Sequence, residues 1–259
     1  MNKIIDDVAD KIFKAHQSKK PIHFIREQYT LDEATSYAIQ DEVISRKCAD
    51  GKDEIAGYKI SMTSAETQAI ANTYEPAYGT ILKSNVKSNN ETISLSNLFA
   101  PLIEVEMMFI LQENFSMGAK ETEIIEKTAV APGIEIPDAR YIDWFPNFTL
   151  ADLLCDNTAT GLVALADPIE TLSINNITEI SVDLIHNNEK IDAGVASAVL
   201  GNPIKAVKWL SEKLASKNKQ LKKGMIISSG TFTTPIPVKE GAYKATFSEL
   251  GEIKVTFQQ

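Results

Sequence analysis

The chain contains little cysteine, little histidine and no excess of positive charge. Its 259 residues include 2 cysteines and 3 histidines. Cys48 and Cys155 are too few for a disulfide framework, and the sequence has no CxxC pair or Cys/His cluster that would predict a zinc site. Lys and Arg total 26 against 35 Asp and Glu, so the net charge is −9. This balance excludes the extended basic surface that binding to nucleic acid or to an anionic membrane requires.

Long apolar runs are also missing from the sequence. No segment approaches the ~18 consecutive apolar residues of a membrane span, so we expect no transmembrane helix. Residues 1–16 carry acids among their apolar positions, which is not typical of a secretory signal. The proportions of 44% apolar and 24% charged residues are those of a globular protein with a sizeable core. We therefore expect a soluble, cytoplasmic protein that acts on a small molecule.

Two helices are predicted within the first fifty residues. In the first, apolar residues recur at helical spacing, at Ile4, Ile5, Val8, Ile12 and Phe13. Thr30 and Glu33 have the spacing of a capping box, which predicts that the second helix begins at Thr30 and ends near Asp50. Each helix must bury its apolar face against the rest of the chain or against a neighbouring subunit.

From residue 55 onward the pattern is that of short strands separated by turns. The predicted strands are 55–61, 78–82, 102–112, 130–136, 160–165, 182–186, 190–195, 225–229, 243–247 and 253–257. Asn187-Asn188 indicates a hairpin, and Asn202 before Pro203 indicates the start of one helix within this region. We predict an α+β fold with a rolled or closed sheet, composed of an N-terminal helical region (1–54) and a β domain (55–259).

Two glutamates lie where a buried strand would place them side by side. In the predicted strand 102–112, Glu104 and Glu106 share one face with the apolar residues Met108 and Ile110. A lone E-x-E in a strand is usually solvent-exposed, but this face continues into apolar residues. Neighbouring carboxylates on such a face repel each other and lose hydration unless a cation compensates them. A divalent ion bound through oxygen ligands would compensate both.

Glu135 is a third candidate ligand. It stands alone between Ile134 and Ile136 in a strand-like run, where by itself it would be interpreted as an exposed strand residue. Three carboxylates without a nearby histidine suit Mg²⁺ or Mn²⁺ better than zinc or copper. Such an ion keeps exchangeable positions at which it can bind and polarise a 2-oxo acid.

Several short motifs, in this order, resemble a known family. They are Gly57–Thr63 (GYKISMT), Pro101–Glu106 (PLIEVE), Glu135, Ile142–Trp144 (IDW), Asp156-Asn157 and Leu200–Pro203 (LGNP). Together they are similar to the 2-keto-4-pentenoate hydratase / 4-oxalocrotonate decarboxylase family of the fumarylacetoacetate hydrolase superfamily. The resemblance extends from about residue 50 to residue 259. It implies a rolled, mixed β-sheet domain preceded by a small helical region and assembled into dimers or larger rings.

The resemblance also assigns roles to individual residues. It implies that Glu104, Glu106 and Glu135 bind Mg²⁺ or Mn²⁺, which chelates a 2-oxo acid. It implies proton transfer or enolate stabilisation by Lys59, and a proton-transfer role for Asp156. The implied substrate contacts are Asn157, Ser229, Gly230, Thr231 and Trp144. Without the resemblance, Lys59 would be interpreted as a surface lysine and Asp156-Asn157 as a turn.

Three functions remain open at this point. The first is hydration of a 2-hydroxy-2,4-dienoate to a 4-hydroxy-2-oxo acid, as in the catabolism of aromatic compounds. Hydration is favoured because Ile142–Trp144 resembles the corresponding motif of the hydratases. The second is decarboxylation of a 2-oxo-3-enedioate. The third is a catalytically silent subunit, because the chain departs from the hydratase pattern at Ser61, Asn202 and Thr158–Gly161. A homo-oligomer is expected, with a possible complex with a related decarboxylase or aldolase.

Overall fold

The computed structural model describes residues 3–171 and 174–259, and strands dominate it from Ile55 onward. The helices in these residues are α1 (Lys3–Ser18), α2 (Glu33–Cys48), α3 (Ala65–Ala71), α4 (Glu121–Glu126), α5 (Trp144–Asn147), α6 (Leu150–Cys155) and α7 (Pro203–Ala215). The strands are β1 (Ile55–Ser61), β2 (Ala77–Leu82), β3 (Val86–Ser88), β4 (Glu91–Ser94), β5 (Leu102–Leu111), β6 (Thr128–Ile136), β7 (Leu162–Leu165), β8 (Ile169–Glu170), β9 (Ser181–His186), β10 (Glu189–Val195), β11 (Ile226–Thr231), β12 (Ile236–Pro237), β13 (Gly241–Phe247) and β14 (Gly251–Gln258).

The strands form two sheets. The larger has the order β2-β1-β11-β5-β6-β7-β3, with β12 beside β5 and β8 beside β6. The smaller has the order β10-β9-β13-β14-β4. Both contain parallel and antiparallel pairs, such as parallel β1–β11 and antiparallel β5–β6. Strands β13 and β14 contact β6, so the sheets pack against each other. The α+β class and the curled, mixed sheet are thereby confirmed.

Strand β5 is apolar on both faces because both faces are covered. Ile103, Val105 and Met107 belong to the main core that fills the space between the sheets and helices. Met108 lies on the opposite face in a smaller apolar cluster, with Ile110 packed against it. Glu104 and Glu106 share the face of Met108, which confirms the alternation predicted from the sequence.

Helices α1 and α2 pack on each other and on α6. Their buried residues, among them Val8, Ile12 and Val43, join the main core. The predicted capping box at Thr30 and Glu33 is wrong: α2 begins after the N-cap Asp32, whose side chain accepts a hydrogen bond from the backbone N–H of Thr35. The division at residues 54 and 55 stays a prediction, and the first two residues of the region 1–54 lie outside the described residues.

Residues 141–154, for which no helix or strand is predicted above, form short helices. They contain α5 and most of α6, and Thr149 and Asp152 form the capping box of α6. Helix α7 begins after the N-cap Asn202 as predicted, and Asn187 and Asn188 both have positive φ in their hairpin. Within the described ranges, no helix combines the length and the apolar character that a membrane crossing requires.

Candidate active site

Four neighbouring strands of the larger sheet bring the predicted site residues together. Glu104 on β5 lies directly opposite Glu135 on β6. Glu106, two residues further along β5, lies opposite Thr231 on β11. On the far side of β11, Lys59 of β1 is paired with Ser228. Because side chains two residues apart on a strand share a face, this register points the acidic side chains and Lys59 toward one region.

The three glutamates form a compact cluster. Each offers a carboxylate oxygen within 4.8 Å of the others, and Glu106 and Glu135 are fully buried. The Ser228 hydroxyl donates to Glu106 Oε2 and lies 3.3 Å from Glu135 Oε2. The backbone N–H of Gly230 donates to the same Glu106 oxygen at 2.9 Å. Glu106 Oε1 is buried and has no hydrogen-bond partner, so one strong acceptor points into the cluster unsatisfied.

Gly230 is required at its position for a steric reason. Its φ is +116°, in a region that residues with a Cβ rarely adopt. A Cβ at this position would also lie 2.4 Å from Thr63 Oγ1. A glycine therefore lets β11 bring the backbone N–H close to Glu106.

Burial and mutual repulsion dominate the electrostatics of the cluster. Burial, with repulsion from Glu135, raises the pKa of Glu104 to about 7. Burial and repulsion from Glu135 and Glu104 raise the pKa of Glu106 well above its ordinary value. Lys59 Nζ lies 3.0 Å from Glu135 Oε1. Burial disfavours its ammonium form, but attraction to the three glutamates outweighs burial and raises the pKa of Lys59.

The donor set fits a hard divalent cation. One ammonium cannot neutralise three carboxylates, so the cluster keeps an excess of buried negative charge when all three are ionised. The ligand atoms converge within 4.8 Å, and Glu106 Oε1 has no other partner. These are the carboxylate oxygens that Mg²⁺, Mn²⁺ and Ca²⁺ prefer. Glu104, Glu106 and Glu135 are therefore the residues that could hold a metal here.

A cleft leads to the cluster at Glu104. It consists of a cavity of about 340 Å³ and a smaller adjoining one of about 40 Å³, which share Ser61, Glu104 and Phe145 among their lining residues. Lys59 lines the smaller cavity. The hydroxyl-bearing residues of the cleft are Ser61, Thr63, Ser64, Thr67, Thr158, Thr231, Thr233 and Thr234. A small molecule in this cleft would thus reach Glu104 while surrounded by hydroxyl groups that can donate hydrogen bonds.

Some of the predicted substrate contacts lie at this cleft. Thr231 lines the larger cavity and Trp144 lines the smaller. Trp144 is fixed by a hydrogen bond of 2.8 Å from its indole N–H to the carbonyl oxygen of Ala100 and by contacts with Phe145 and Phe148. Ser229 is buried next to Gly230, and its hydroxyl has no hydrogen-bond partner.

Asp156 and Asn157 lie behind the cleft and bind other parts of the protein. Arg140 donates from its backbone N–H to Asp156 Oδ2 at 2.8 Å and from Nε to Oδ1. Burial raises the pKa of Asp156 to about 6, although Arg140 opposes this rise. The side chain of Asn157 exchanges two hydrogen bonds with the backbone of Thr80. Neither residue lines the cleft, and their functional roles stay predictions.

The sequence reasoning missed several residues of the site. Ser228 was predicted only as part of a strand, and Arg140 was not singled out. A signal for Ser228 exists, because two serines end the apolar run Met225–Ile227 and a buried hydroxyl needs a partner. Thr67 on α3 lines both cavities, and nothing in the sequence pattern indicated it.

Comparisons with known proteins define the class of the fold. The chain superposes with a TM-score of 0.93 on the structure of 4-oxalocrotonate decarboxylase from Pseudomonas putida G7, complexed with magnesium and adipate. The match covers 100% of this chain and 98% of that one, at 23% sequence identity. This similarity shows that the two chains share one fold. No protein-family model matches the chain.

Sequence relatives then define the family. The chain is 30% identical over 262 residues to 2-oxo-hept-4-ene-1,7-dioate hydratase of Escherichia coli, covering 96% of each protein. It is 28% identical over 260 residues to 2-keto-4-pentenoate hydratase of Paraburkholderia xenovorans (strain LB400), covering 98% of this chain and 94% of the relative. The chain belongs to the 2-keto-4-pentenoate hydratase / 4-oxalocrotonate decarboxylase family, and its hydratase relatives place it among the hydro-lyases.

Proposed function

We propose that this protein is a divalent-metal-dependent hydro-lyase that converts a 2-hydroxy-2,4-dienoate into a 4-hydroxy-2-oxo acid by net addition of water across the C4–C5 double bond. The observation that carries the proposal is the buried cluster of Glu104, Glu106 and Glu135 beside Lys59, at the end of a cleft. Hydratases are the sequence relatives that match at 28–30% identity over nearly the whole chain.

The three glutamates would hold Mg²⁺ or Mn²⁺. When bound, the ion supplies positive charge beside the 1-carboxylate and 2-oxo oxygens of the substrate, where enolate charge develops. Lys59 Nζ lies next to the same site and is protonated, so it can stabilise that charge and give up a proton as the enol becomes a ketone. Trp144, Phe145 and Phe148 line the cleft and can contact the substrate's carbon chain.

The charges of the cleft favour a substrate without a second carboxylate. Lys59 is the one basic side chain among the described residues that line the two cavities, and it is committed to Glu135. Glu66 and Asp192, by contrast, line the outer cavity and would repel an anionic tail. We therefore assign the monoacid, of the 2-keto-4-pentenoate type, as the preferred substrate over dioic acids.

A turnover assay tests the function. Hydration is followed as loss of the diene absorbance of 2-hydroxypenta-2,4-dienoate, once with Mg²⁺ and once with a chelator. Decarboxylation is followed separately as release of CO₂ from a 2-oxo-3-enedioate. We expect metal-dependent hydration and a lower kcat/KM for dioic substrates. Glu66→Lys should raise kcat/KM for the dioate, while Lys208→Gln, on α7 and not among the residues that line the cleft, should change neither value. CO₂ release without hydration would indicate the decarboxylase, and binding of metal without any turnover would indicate a silent subunit.

We further propose a homo-oligomer that acts in the cytoplasm on products of aromatic catabolism, with a related decarboxylase or aldolase as its partner enzyme. Support for self-association comes from the outer face of the larger sheet. There, Ile110, Leu165 and Ile226 are partly exposed around the buried Met108 and Ile81. Light scattering coupled to size-exclusion chromatography should give a mass of at least twice 28.5 kDa.

A further inference from the structure

A second cavity, here called the basic cavity, lies away from the glutamate cluster. It has a volume of about 420 Å³ and is formed by α1, α2 and the segments around residues 82–85, 97–99 and 160–162. Its ionisable lining residues are His16, Lys19, Arg46, Lys47, Lys52, Asp53, Asp138 and Arg140. Three of its five Lys and Arg side chains are paired with acids outside the lining: Arg46 with Asp6, Asp10 and Glu42, Arg140 with Asp156, and Lys52 with Asp50. Lys19 and Lys47 have no acidic partner among the described residues. Two lysines without a counterion in one cavity of an acidic protein call for a physical explanation.

The two acids of the basic cavity are bound elsewhere. Asp138 accepts hydrogen bonds from the backbone N–H groups of Phe99, at 3.0 Å, and Ala100, at 2.8 Å. Asp53 accepts hydrogen bonds from the Ser84 hydroxyl and from backbone N–H groups. Among the described residues, neither acid forms an ion pair with a lysine of the cavity. The lysines therefore lack a direct counterion within the cavity.

Lys47 is the most poorly compensated of these lysines. It lies in the last turn of α2 and forms no ion pair or hydrogen bond with the described part of the chain. Burial and repulsion from Arg140 and Lys19 lower the pKa of Lys47 to about 7. His16, in the last turn of α1, has a buried Nε2 atom without a hydrogen-bond partner. Two nitrogen groups that need partners therefore line the same cavity.

We propose that the basic cavity binds a small organic anion that carries phosphate or carboxylate groups. Such a ligand would supply the counter-charge that the half-buried Lys47 and the exposed Lys19 lack, because a partner that both neutralises a cation and accepts its hydrogen bonds stabilises it. Neutral His16 can donate or accept a hydrogen bond at Nε2. Phe13 and Phe99 line the same cavity and can contact the carbon skeleton of the ligand.

The basic cavity is distinct from the catalytic cleft but adjoins it. Thr160 and Gly161 line the basic cavity, while Thr158 and Ala159 line the cleft beside Lys59. One short segment therefore separates the two. Arg140, which lines the basic cavity, also donates a hydrogen bond of 3.1 Å to the carbonyl oxygen of Thr160.

Calorimetric titration with pyrophosphate and with citrate tests the proposal. Both titrations are done in a chelator at constant ionic strength, so that neither probe binds a metal at the glutamate cluster. We expect saturable binding of at least one probe to the wild type. Because a hydrogen bond between two charged groups is lost, Lys47→Gln should weaken this binding about tenfold or more.

Lys208→Gln is the matched control, because Lys208 also lies on a helix but is paired with Glu212 outside the cavity. This variant should bind both probes with the affinity of the wild type. Lys19→Gln provides a second variant at an exposed position, and it should weaken binding without affecting the fold. Preference for pyrophosphate or for citrate distinguishes a phosphate ligand from a carboxylate ligand, and either preference supports the proposal. Absence of saturable binding to the wild type, or equal affinity of the wild type and both cavity variants, would overturn it.

Discussion

Replacing Glu106 by glutamine removes one negative charge from the cluster and changes its shape very little. The amide oxygen of glutamine can still accept the hydrogen bonds that Ser228 and Gly230 now donate to Oε2. The amide nitrogen would then take the place of Oε1, which has no partner, and would face the carboxylates of Glu104 and Glu135 as a donor. We therefore expect Glu106→Gln to fold normally.

The size of the effect follows from the distances within the cluster. Two unit charges 4.8 Å apart, the outer limit of the separations here, repel by about 3.5 kcal/mol at an effective dielectric constant of about 20. A bound divalent ion would offset this repulsion in the wild type, whereas Glu106→Gln removes the repulsion before any ion binds. Since one charged ligand is also lost, affinity for Mn²⁺ should fall by about two to three orders of magnitude. At a pH at which Glu106 is ionised, the metal-free variant should be more stable than the metal-free wild type, by about 3.5 kcal/mol.

Two measurements on the same samples check the expected loss of Mn²⁺ affinity and the expected gain in metal-free stability. Calorimetric titration with Mn²⁺ gives the affinity, and urea denaturation in a chelator gives the free energy of unfolding. Glu66→Gln is the control, because Glu66 lines the cleft but lies outside the cluster, and it should keep the wild-type affinity. Full Mn²⁺ affinity in Glu106→Gln, or a metal-free variant less stable than the wild type, would refute the reasoning.

Four further predictions concern the same region. Mg²⁺ at about 100 times its Kd should stabilise the fold by about 2.7 kcal/mol, and an unchanged melting temperature would contradict this. Because the fold raises the pKa of Glu104 from 4.5 to about 7, the unfolded chain releases this proton first, and the metal-free protein should lose stability as the pH rises through this range. Mg²⁺ affinity should weaken below pH 7, where Glu104 is protonated. A free energy of unfolding and a Mg²⁺ affinity that do not change with pH would contradict both expectations. Lys59→Met should retain Mn²⁺ binding, because it removes a competing cation, yet lower kcat by about 100-fold or more; unchanged kcat would exclude a catalytic role. Arg140→Met leaves Asp156 buried without its partner and should lower the free energy of unfolding by about 3–5 kcal/mol in urea titrations, with a smaller loss arguing against a structural ion pair.

The longer strands were predictable because their signal is local, whereas the strands β3, β4, β8 and β12, of two to four residues each, were not predicted. Alternation along residues 102–111 placed Glu104 and Glu106 on one face, and the structure confirms this. The approach of Glu135 depends on the register of β5 against β6, which no single segment of the sequence contains. For this reason Glu135 could be connected with the other two only by the chemistry of the group and by the resemblance to a family.

The helices α5 and α6 escaped prediction because they are too short to form on their own. A helix of 6 residues lies below the length at which local propensity suffices. Asp152 in α6 accepts hydrogen bonds from the backbone and the side chain of Arg26, 126 residues away in the chain. Likewise, the burial of Asp156 against Arg140 follows from tertiary packing, and the sequence pattern alone was equally consistent with a turn.

Diffraction from a crystal soaked with Mn²⁺ and oxalate tests the central claim most directly, because manganese scatters anomalously and oxalate has the chelating head of a 2-oxo acid. The account predicts one strong anomalous peak bounded by the carboxylates of Glu104, Glu106 and Glu135, with oxalate between that peak and Lys59. A peak elsewhere, with the three carboxylates free of metal, would contradict it.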